Sequence, residues 1–262
     1  GNDFIIMNEI PNQPDQLAKS VCDRHFGIGA DGLIYASSSQ IADIKFNYYN
    51  NDGSIAPMCG NGMRCFVKYL KENHLMDKDQ FVVETLAGII SVLYNKDTQH
   101  IKIGLGKPNF SLDAPDVIPP IKALDEQSIA FEGQIIKFHV VNLGTLHTIV
   151  YVNDLIDIQK VGPYLSSIPM FPNLSNINFV KVVDENMLTV KTYERGAGWT
   201  LSCGTGVSAS AVVSYQLGKT NQEINVIVPG GQLKVYVLDQ VYLEGPAVRI
   251  ALGDYEVSNE KI

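Results

Sequence analysis

The residues of this sequence best suited to chemistry are two cysteines that share one local setting. Cys59 opens the stretch Cys-Gly-Asn-Gly, and Cys203, 144 residues later, opens Cys-Gly-Thr-Gly. A polar residue precedes each cysteine by nine positions, Asn50 in the first case and Glu194 in the second. A pair of thiols suits a reaction in which one group removes a proton from a carbon and another returns a proton to its opposite face. We therefore predict that the two cysteines form the acid–base pair of an enzyme that inverts a carbon centre.

Each Cys-Gly-x-Gly motif is predicted to open a helix. The first turn of a helix offers free backbone N–H groups, and together with the helix dipole they bind carboxylates. The same position favours the thiolate, because it lowers the pKa of a cysteine from its free value of about 8.5. We expect both motifs to grip one α-carboxylate while Cys59 and Cys203 address opposite faces of the α-carbon, one as thiolate base and the other as thiol acid.

The elements that must position these cysteines are many short strands and four helices. Apolar residues at helical spacing predict helices at 14–23, 59–73, 161–166 and 203–217. Short β-type runs predict strands at 3–7, 32–36, 44–49, 81–84, 89–94, 101–103, 135–141, 148–152, 178–183, 187–192, 224–228, 233–237 and 241–244.

The order of these elements repeats, which indicates a duplication. Gly88 follows Cys59 by 29 residues and Gly231 follows Cys203 by 28, and a strand begins near each glycine. A stretch rich in proline and aspartate at 107–120 marks a plausible boundary between two parts. We predict two α/β domains, 1–105 with 250–262 and 106–249, with the site in the cleft between them.

Composition excludes several classes of function. The net charge of −8 argues against a nucleic-acid or anionic-membrane partner, and no run approaches the 18 apolar residues of a membrane span. Four cysteines are too few for a disulfide scaffold in 262 residues, and neither cysteines nor histidines show zinc-ligand spacing. We expect a protein without a metal in a reducing cytoplasm, acting on a small molecule.

Seven segments together resemble the diaminopimelate epimerase family. They are Gly-Asn-Asp-Phe at 1–4, Gly-Ile-Gly-Ala-Asp-Gly at 27–32, Asn-Asn-Asp-Gly at 50–53, Met-Cys-Gly-Asn-Gly-Met-Arg-Cys at 58–65, Asn-Ile-Asn-Phe at 176–179, Glu-Arg-Gly-Ala-Gly at 194–198 and Ser-Cys-Gly-Thr-Gly at 202–206. The resemblance implies inversion at an amino-acid α-carbon without a cofactor, with Cys59 and Cys203 as acid and base. It also implies two pseudo-symmetric α/β (α+β) domains, each a curved, mostly antiparallel sheet wrapped around a central helix, and a homodimer.

The resemblance further implies two groups of substrate-binding residues. Those that would grip the α-carboxylate and α-amino group are Gly60, Asn61, Gly204 and Thr205, with Asn2 nearby. Those that match positions holding the far end of the substrate are Asn50, Asn176, Glu194 and Arg195.

One departure from the family pattern concerns the substrate. The family usually has Asn-Pro-His where this chain has Thr145, Leu146 and His147, so the resemblance also implies that Thr145 and His147 lie at the distal end of the substrate. The histidine is kept, but the asparagine that helps bind the distal end of diaminopimelate is replaced by a threonine, which lacks the donor and acceptor of an amide. The change and the overall resemblance lead us to predict a histidine racemase that supplies D-histidine for opine-type metallophores such as staphylopine. The alternative is a diaminopimelate epimerase of lysine biosynthesis, whereas proline racemases rank lower because they typically have histidine in place of Asn61.

A hypothesis of a different class remains open. Cys59 and Cys203 could form a reversible disulfide in an amino-acid-binding or redox-sensing protein. Both thiols could also be small buried side chains, as we expect for Cys65 inside the second helix. If the thiols do face one another, oxidants should inactivate the enzyme by closing that disulfide.

Overall fold

The computed structural model describes residues 1–152 and 157–256, and its four helices confirm the predicted ones. They are α1 (Pro14–Val21), α2 (Gly60–Glu72), α3 (Ile158–Ser166) and α4 (Gly204–Gln216). The strands are β1 (Phe4–Met7), β2 (Gly32–Ser37), β3 (Ile44–Asn50), β4 (Gln80–Thr85), β5 (Gly88–Tyr94), β6 (Ile101–Gly104), β7 (Gln127–Phe131), β8 (Gln134–Asn142), β9 (Leu146–Tyr151), β10 (Asn176–Asp184), β11 (Met187–Glu194), β12 (Gly198–Thr200), β13 (Glu223–Val228), β14 (Gly231–Val237) and β15 (Val241–Gly245).

Two strands, β7 and β12, were absent from the prediction. Each is an outer arm of a hairpin, β7 on β8 and β12 on β11. The turn between β7 and β8 is Glu132-Gly133, with φ of 46° and 77°, a conformation that asparagine and glycine adopt more readily than glutamate. The weak turn signal and the three-residue length of β12 explain why hydrophobic alternation did not reveal these strands.

Contacts within the chain define two compact units. The Cys59 unit contains Asn2–Ile103 and the described residues from Glu244 onward, and the Cys203 unit contains Gly1 and Gly104–Leu243. The predicted domain boundaries remain a prediction, and residues 153–156 and 257–262 of those ranges lie outside the described residues.

The sheet of the Cys59 unit follows the order β1-β2-β3-β4-β5-β6. The β1–β2 and β3–β4 pairs are parallel, whereas the β2–β3, β4–β5 and β5–β6 pairs are antiparallel. Parallel neighbours need a crossover, and α1 and α2 supply the two crossovers of this unit.

The Cys203 unit repeats this plan. Its sheet follows the order β15-β14-β13-β11-β10-β9-β8-β7, with β12 on β11. The β9–β10 and β11–β13 pairs are parallel, with α3 and α4 as crossovers, and the β10–β11 and β13–β14 pairs are antiparallel. The predicted pseudo-symmetric α/β fold is therefore confirmed, with β9-β10-β11-β13-β14 corresponding to β1-β2-β3-β4-β5.

The glycines that suggested the duplication begin equivalent strands. Gly88 pairs with Thr85 across a two-residue turn, and Gly231 pairs with Val228 across another. Their φ angles are 117° and 138°, which residues with a side chain rarely adopt. The matching offsets from the two cysteines thus reflect the same hairpin after each crossover helix.

The crossover helices α2 and α4 are buried to different degrees. The α2 helix buries one face, including Met63, Phe66 and Leu70, against its sheet. In α4 the nine residues from Gly206 to Ser214 are all buried, and they are small or β-branched, so surrounding strands approach closely. In the described part of the chain, no helix is both long enough and apolar enough to cross a membrane.

Candidate active site

Cys59 caps the N-terminus of α2, as the motif predicts. Its backbone is extended, with φ −140° and ψ 120°, and its Sγ accepts a hydrogen bond of 3.4 Å from the N–H of Gly62. This is the geometry of a helix N-cap, with sulfur in place of the usual oxygen. The sulfur is half-buried at the positive end of the helix dipole, which stabilises a thiolate.

Cys203 caps the N-terminus of α4 in the same extended conformation, with φ −111° and ψ 108°. Its Sγ lies 3.6 Å from Oγ1 of Thr205. The second glycine of this motif is a steric requirement, because a Cβ on Gly206 would collide with Oδ1 of Asn178 and lie 3.2 Å from Sγ of Cys203. Close packing at this helix start is therefore as good an explanation of the second glycine as ligand binding is.

The electrostatic surroundings of Cys203 favour the neutral thiol. Its side chain is buried, and burial first, then the charge of Glu194, raise the pKa of the thiol to about 12. The hydroxyl of Thr205 and the N–H of Gly206 oppose this effect but do not offset it. Glu194 is fixed at the end of β11, since its Oε1 accepts a hydrogen bond of 2.6 Å from Oγ1 of Thr200.

A chain of hydrogen bonds joins Asn61, after Cys59, to the start of β1. Nδ2 of Asn61 donates to Oδ1 of Asn2 at 2.7 Å, and Nδ2 of Asn2 donates to Oδ2 of Asp31 at 2.7 Å. Arg24 completes the chain by binding Asp3 with two hydrogen bonds and Asp31 with a third. The hydrogen bonds from Arg24 hold the pKa of Asp3 below its usual value. The structure thus brings Asn2 and Asn61 together, as predicted.

Asn50 lies at the end of β3, opposite Gly32 on β2. Its Nδ2 donates to Oγ of Ser54 at 2.9 Å within the turn that follows. The turn returns to the first network, because the N–H of Asn51 donates to the carbonyl of Asp31. Asn50 therefore belongs to the same edge of the Cys59 unit as Asn2.

His147 is fully buried in β9 of the Cys203 unit. Its Nδ1 lies 3.2 Å from Nδ2 of Asn178, and its Nε2 lies 3.0 Å from Oγ1 of Thr145. An amide Nδ2 only donates, so Nδ1 is the acceptor and the proton resides on Nε2, which donates to Thr145. Burial, and secondarily the charge of Arg195, lower the pKa of His147 to about 3, which keeps the ring neutral. The imidazole thus orients Thr145 and has both nitrogens bonded within the protein.

Asn176 faces His147 across the parallel β9–β10 pair. Its Nδ2 donates to the carbonyl of Leu146 at 2.9 Å, and its Oδ1 accepts from the N–H of Arg195 at 3.0 Å. This amide links β10 to the turn after β11, so the Cys203 unit gathers the predicted distal residues Thr145, His147, Asn176 and Arg195. Asn50 is the one predicted distal residue in the other unit.

Sequence reasoning missed Asn178. Its buried side chain contacts His147 through Nδ2, and its Oδ1 accepts a hydrogen bond of 3.0 Å from Oγ1 of Thr192. A signal was available, because Asn176 and Asn178 alternate with apolar residues in a strand and so lie on one face. No group of three or more histidine, cysteine, aspartate or glutamate side chains within 1–152 and 157–256 is arranged to hold a metal ion.

Comparison with known proteins identifies the family. The model of the family described as diaminopimelate epimerase matches residues 1–111 and 139–250. The chain belongs to the diaminopimelate epimerase family. The diaminopimelate epimerase of Caldanaerobacter subterraneus subsp. tengcongensis is 39% identical over 265 residues, covering 98% of this chain and 97% of that protein. That of Carboxydothermus hydrogenoformans is also 39% identical, over 97% of this chain and 96% of that protein.

Solved structures share the fold of the family at low sequence identity. A hydroxyproline epimerase from Agrobacterium vitis, solved with trans-4-hydroxy-L-proline, superposes with a TM-score of 0.66 at 16% identity, over 92% of this chain and 85% of that one. A probable proline racemase from Agrobacterium radiobacter gives 0.67 at 15% identity, over 97% and 90%. These structures support the predicted fold.

The predicted family and enzyme class are confirmed. As a member of the diaminopimelate epimerase family, the chain is an isomerase of the epimerase and racemase type. The finer prediction of a histidine racemase for metallophore synthesis is not confirmed, since the curated relatives are named for diaminopimelate.

Proposed function

We propose that this enzyme is a diaminopimelate epimerase, which interconverts L,L- and meso-diaminopimelate by proton transfer between two thiols. The observation that carries the proposal is the identity of 39% to a protein of that name along 98% of the chain. The matched helix caps at Cys59 and Cys203 support the mechanism, because each unit presents one thiol at a helix start.

In this mechanism one thiolate removes the α-proton while the other thiol protonates the opposite face of the carbon. The α-carboxylate accepts hydrogen bonds from the first-turn N–H groups, which belong to Gly60 and Asn61 in one unit and to Gly204 and Thr205 in the other. These fixed dipoles also stabilise the negative charge that develops at the α-carbon and its carboxylate in the transition state. We assign the amide of Asn61, which donates a hydrogen bond to Asn2, to the same end of the substrate.

The far end of diaminopimelate carries a second ammonium and a second carboxylate. We assign their binding to the opposite charges of Glu194 and Arg195 and to the polar side chains of Asn50, Thr145 and Asn176. His147 takes part through Thr145, because it donates a proton to Oγ1 and leaves the threonine hydroxyl free to donate to a carboxylate. Threonine replaces an amide contact with a single hydroxyl contact at this place.

Exchange of the α-hydrogen in deuterated water tests the proposal. We expect L,L-diaminopimelate to acquire deuterium at one α-carbon, as seen by mass spectrometry, and the Cys59→Ser and Cys203→Ser variants to lose turnover by about a thousandfold or more. A protein that binds diaminopimelate but exchanges no α-hydrogen would overturn the proposal and favour the binding or redox-sensing hypothesis.

A second candidate, histidine racemase, rests on the Thr145-Leu146-His147 stretch. Thr145, held by His147 at 3.0 Å, supplies no amide at this position for a distal amino-acid group, and a substrate without that group would not need one there. Incubation with L-histidine in deuterated water separates the candidates. Deuterium in histidine alone would reject the diaminopimelate assignment, whereas deuterium in diaminopimelate alone would reject histidine.

We also propose that the enzyme is a cytoplasmic homodimer that needs no cofactor. The family implies this assembly, and a reducing compartment would keep Cys59 and Cys203 as thiols. Analytical ultracentrifugation should give a mass near 58 kDa, about twice the chain mass of 28.8 kDa. A species of one chain mass at micromolar concentration would reject the dimer.

A further inference from the structure

Arg64 is a buried cation for which the described residues offer no carboxylate partner. It lies on α2 five residues after Cys59, and its side chain is 7% exposed. Its donors reach only neutral oxygens: the carbonyl of Pro246 at 3.3 Å, the carbonyl of Gly60 at 3.4 Å and Oδ1 of Asn61 at 2.8 Å. Within the described residues, no aspartate or glutamate oxygen forms an ion pair with it.

A buried guanidinium of this kind needs a negative charge nearby. Burial penalises its charged form and lowers its pKa, but an arginine does not give up its proton in a protein. The charges that oppose this loss are those of the Cys65 and Cys59 sulfurs. One of these two sulfurs is therefore the natural counterion of Arg64.

The surroundings favour Cys59 over Cys65. Burial raises the pKa of the Cys65 thiol despite the opposing charge of Arg64. Cys65 also lies inside α2, where backbone N–H groups are already bonded, whereas Cys59 caps the helix and accepts from the N–H of Gly62. Helix N-terminus and buried cation thus act together on the Cys59 sulfur.

The other titratable groups near Cys59 do not compete for this role. The phenol of Tyr48, on β3, remains neutral. Burial first, and then the charge of Cys59, raise its pKa above the usual value. Asp31, at the edge of β2, is held by Arg24 and Asn2. Of the two cations that act on the pKa of Cys65, Arg64 lowers it more strongly than the α-ammonium of Gly1 does.

We propose that Arg64 is a positioning residue that holds Cys59 as a thiolate in the resting enzyme, while Cys203 rests as a thiol beside Glu194. This inference rests on the proposed acid–base roles of the two cysteines. It adds an asymmetry that the matching motifs do not show, because the buried guanidinium of Arg64 binds Gly60 and Asn61 directly after Cys59, whereas the carboxylate of Glu194 acts on Cys203.

The proposed resting state determines the first half-reaction. The Cys59 thiolate takes the α-proton, and the electron pair of the C–H bond remains on carbon. That pair then takes the proton of the Cys203 thiol on the opposite face, which leaves Cys59 as thiol and Cys203 as thiolate. The resting enzyme can therefore act at once on the stereoisomer whose α-hydrogen points to Cys59. For the opposite isomer, Cys59 must first gain a proton and Cys203 lose one by exchange with solvent.

The pH dependence of alkylation by iodoacetamide tests the role of Arg64 without any substrate. Peptide mapping by mass spectrometry follows each cysteine separately in the otherwise unchanged chain and in Arg64→Met and Arg64→Lys. Lys68→Met is the matched control, since Lys68 is a cation on the same helix that has its own carboxylate partner, Glu72 at 3.3 Å. Circular dichroism verifies that each variant is folded.

We expect the midpoint for Cys59 to lie below the free value of about 8.5, to rise by about one pH unit or more in Arg64→Met, and to return in Arg64→Lys. Lys68→Met should leave it unchanged, and the midpoint for Cys203 should stay above that of Cys59 in every variant. A merely structural Arg64 would change the melting temperature and leave the Cys59 midpoint in place. That result, or a Cys203 midpoint below that of Cys59, would overturn the proposal, whereas failure of deuterium exchange would overturn only the proposed function.

Discussion

At the scale of single residues, the two Cys-Gly-x-Gly motifs have the same form but tolerate a side chain at their second glycine to different degrees. A Cβ on Gly206, the second motif glycine of α4, would collide with Asn178, whereas a Cβ on its counterpart in α2, Gly62, would lie 3.2 Å from the end of the Ile34 side chain. A rigid polar neighbour bonded to Thr192 cannot move as easily as an isoleucine methyl group. The same sequence letters therefore carry different steric demands.

We predict that Gly206→Ala destabilises the fold by about 1–3 kcal/mol and lowers turnover, because it displaces Asn178 and crowds the Cys203 sulfur. Gly62→Ala should cost less, since the gain of about 1 kcal/mol in helix propensity offsets the small shift required of Ile34. Urea denaturation of both variants measures the difference. Equal losses of stability would contradict the steric explanation.

His147 should make stability depend on pH. Its pKa is lowered to about 3 in the folded chain from 6.5, so the folded state binds fewer protons than the unfolded state between those values. Its contribution is complete above about pH 6.5 and is lost as the pH falls toward 3, at up to about 1.4 kcal/mol per pH unit.

The measurement is the free energy of unfolding from pH 7 to pH 4 in the unchanged chain and in His147→Gln. The variant should show a shallower pH dependence, while His25→Gln, at an exposed position, should show the original one. A slope that His147→Gln leaves unchanged would refute the assignment of the neutral buried ring.

At the scale of elements, the helices that begin at the cysteines are held by their buried faces. Leu70 on α2 is fully buried, whereas Leu75, just after the helix, is 51% exposed. We predict a loss of about 2–5 kcal/mol for Leu70→Ala and less than about 1 kcal/mol for Leu75→Ala. Thermal unfolding followed by circular dichroism compares them, and similar melting temperatures would show that the α2 face is not part of the core.

The parallel crossovers explain why each cysteine stands where it does. The β3–β4 pair of the Cys59 unit and the β11–β13 pair of the Cys203 unit are both parallel. In each pair a helix must therefore return the chain from the end of the first strand to the start of the second. The helix begins near the end of β3 or of the β11–β12 hairpin, which places Asn50 and Glu194 upstream of the two caps. The spacing of nine residues seen in the sequence is the length of the connection from the end of β3 or β11 to the cysteine that caps the next helix.

At the scale of the whole molecule, the proposed mechanism makes the two cysteines one functional group. We predict that the double variant Cys59→Ser with Cys203→Ser loses little more turnover than either single variant, because each thiol is useless without the other. Deuterium exchange into L,L-diaminopimelate measures all three. Losses that multiply would indicate two independent contributions and contradict the two-thiol mechanism.

The sequence by itself determined the pattern that depends on local rules. Helix starts at Cys59 and Cys203, the hairpins at Gly88 and Gly231, the internal repeat and the family all follow from short-range spacing. Such features were predictable because hydrogen bonds within a helix turn or hairpin join residues that are close in the chain.

Only the tertiary structure decided the electrostatic character of each site residue. Sequence pattern placed His147 directly before the predicted strand 148–152 and did not indicate its complete burial. It also did not single out Asn178, or show that Arg64 has no carboxylate partner among the described residues. Charge states depend on desolvation and on neighbours that are distant in the chain, such as Arg195, whose charge acts on His147. The repeated motif therefore specified two equivalent helix caps, and the packing of each unit made their sulfurs different.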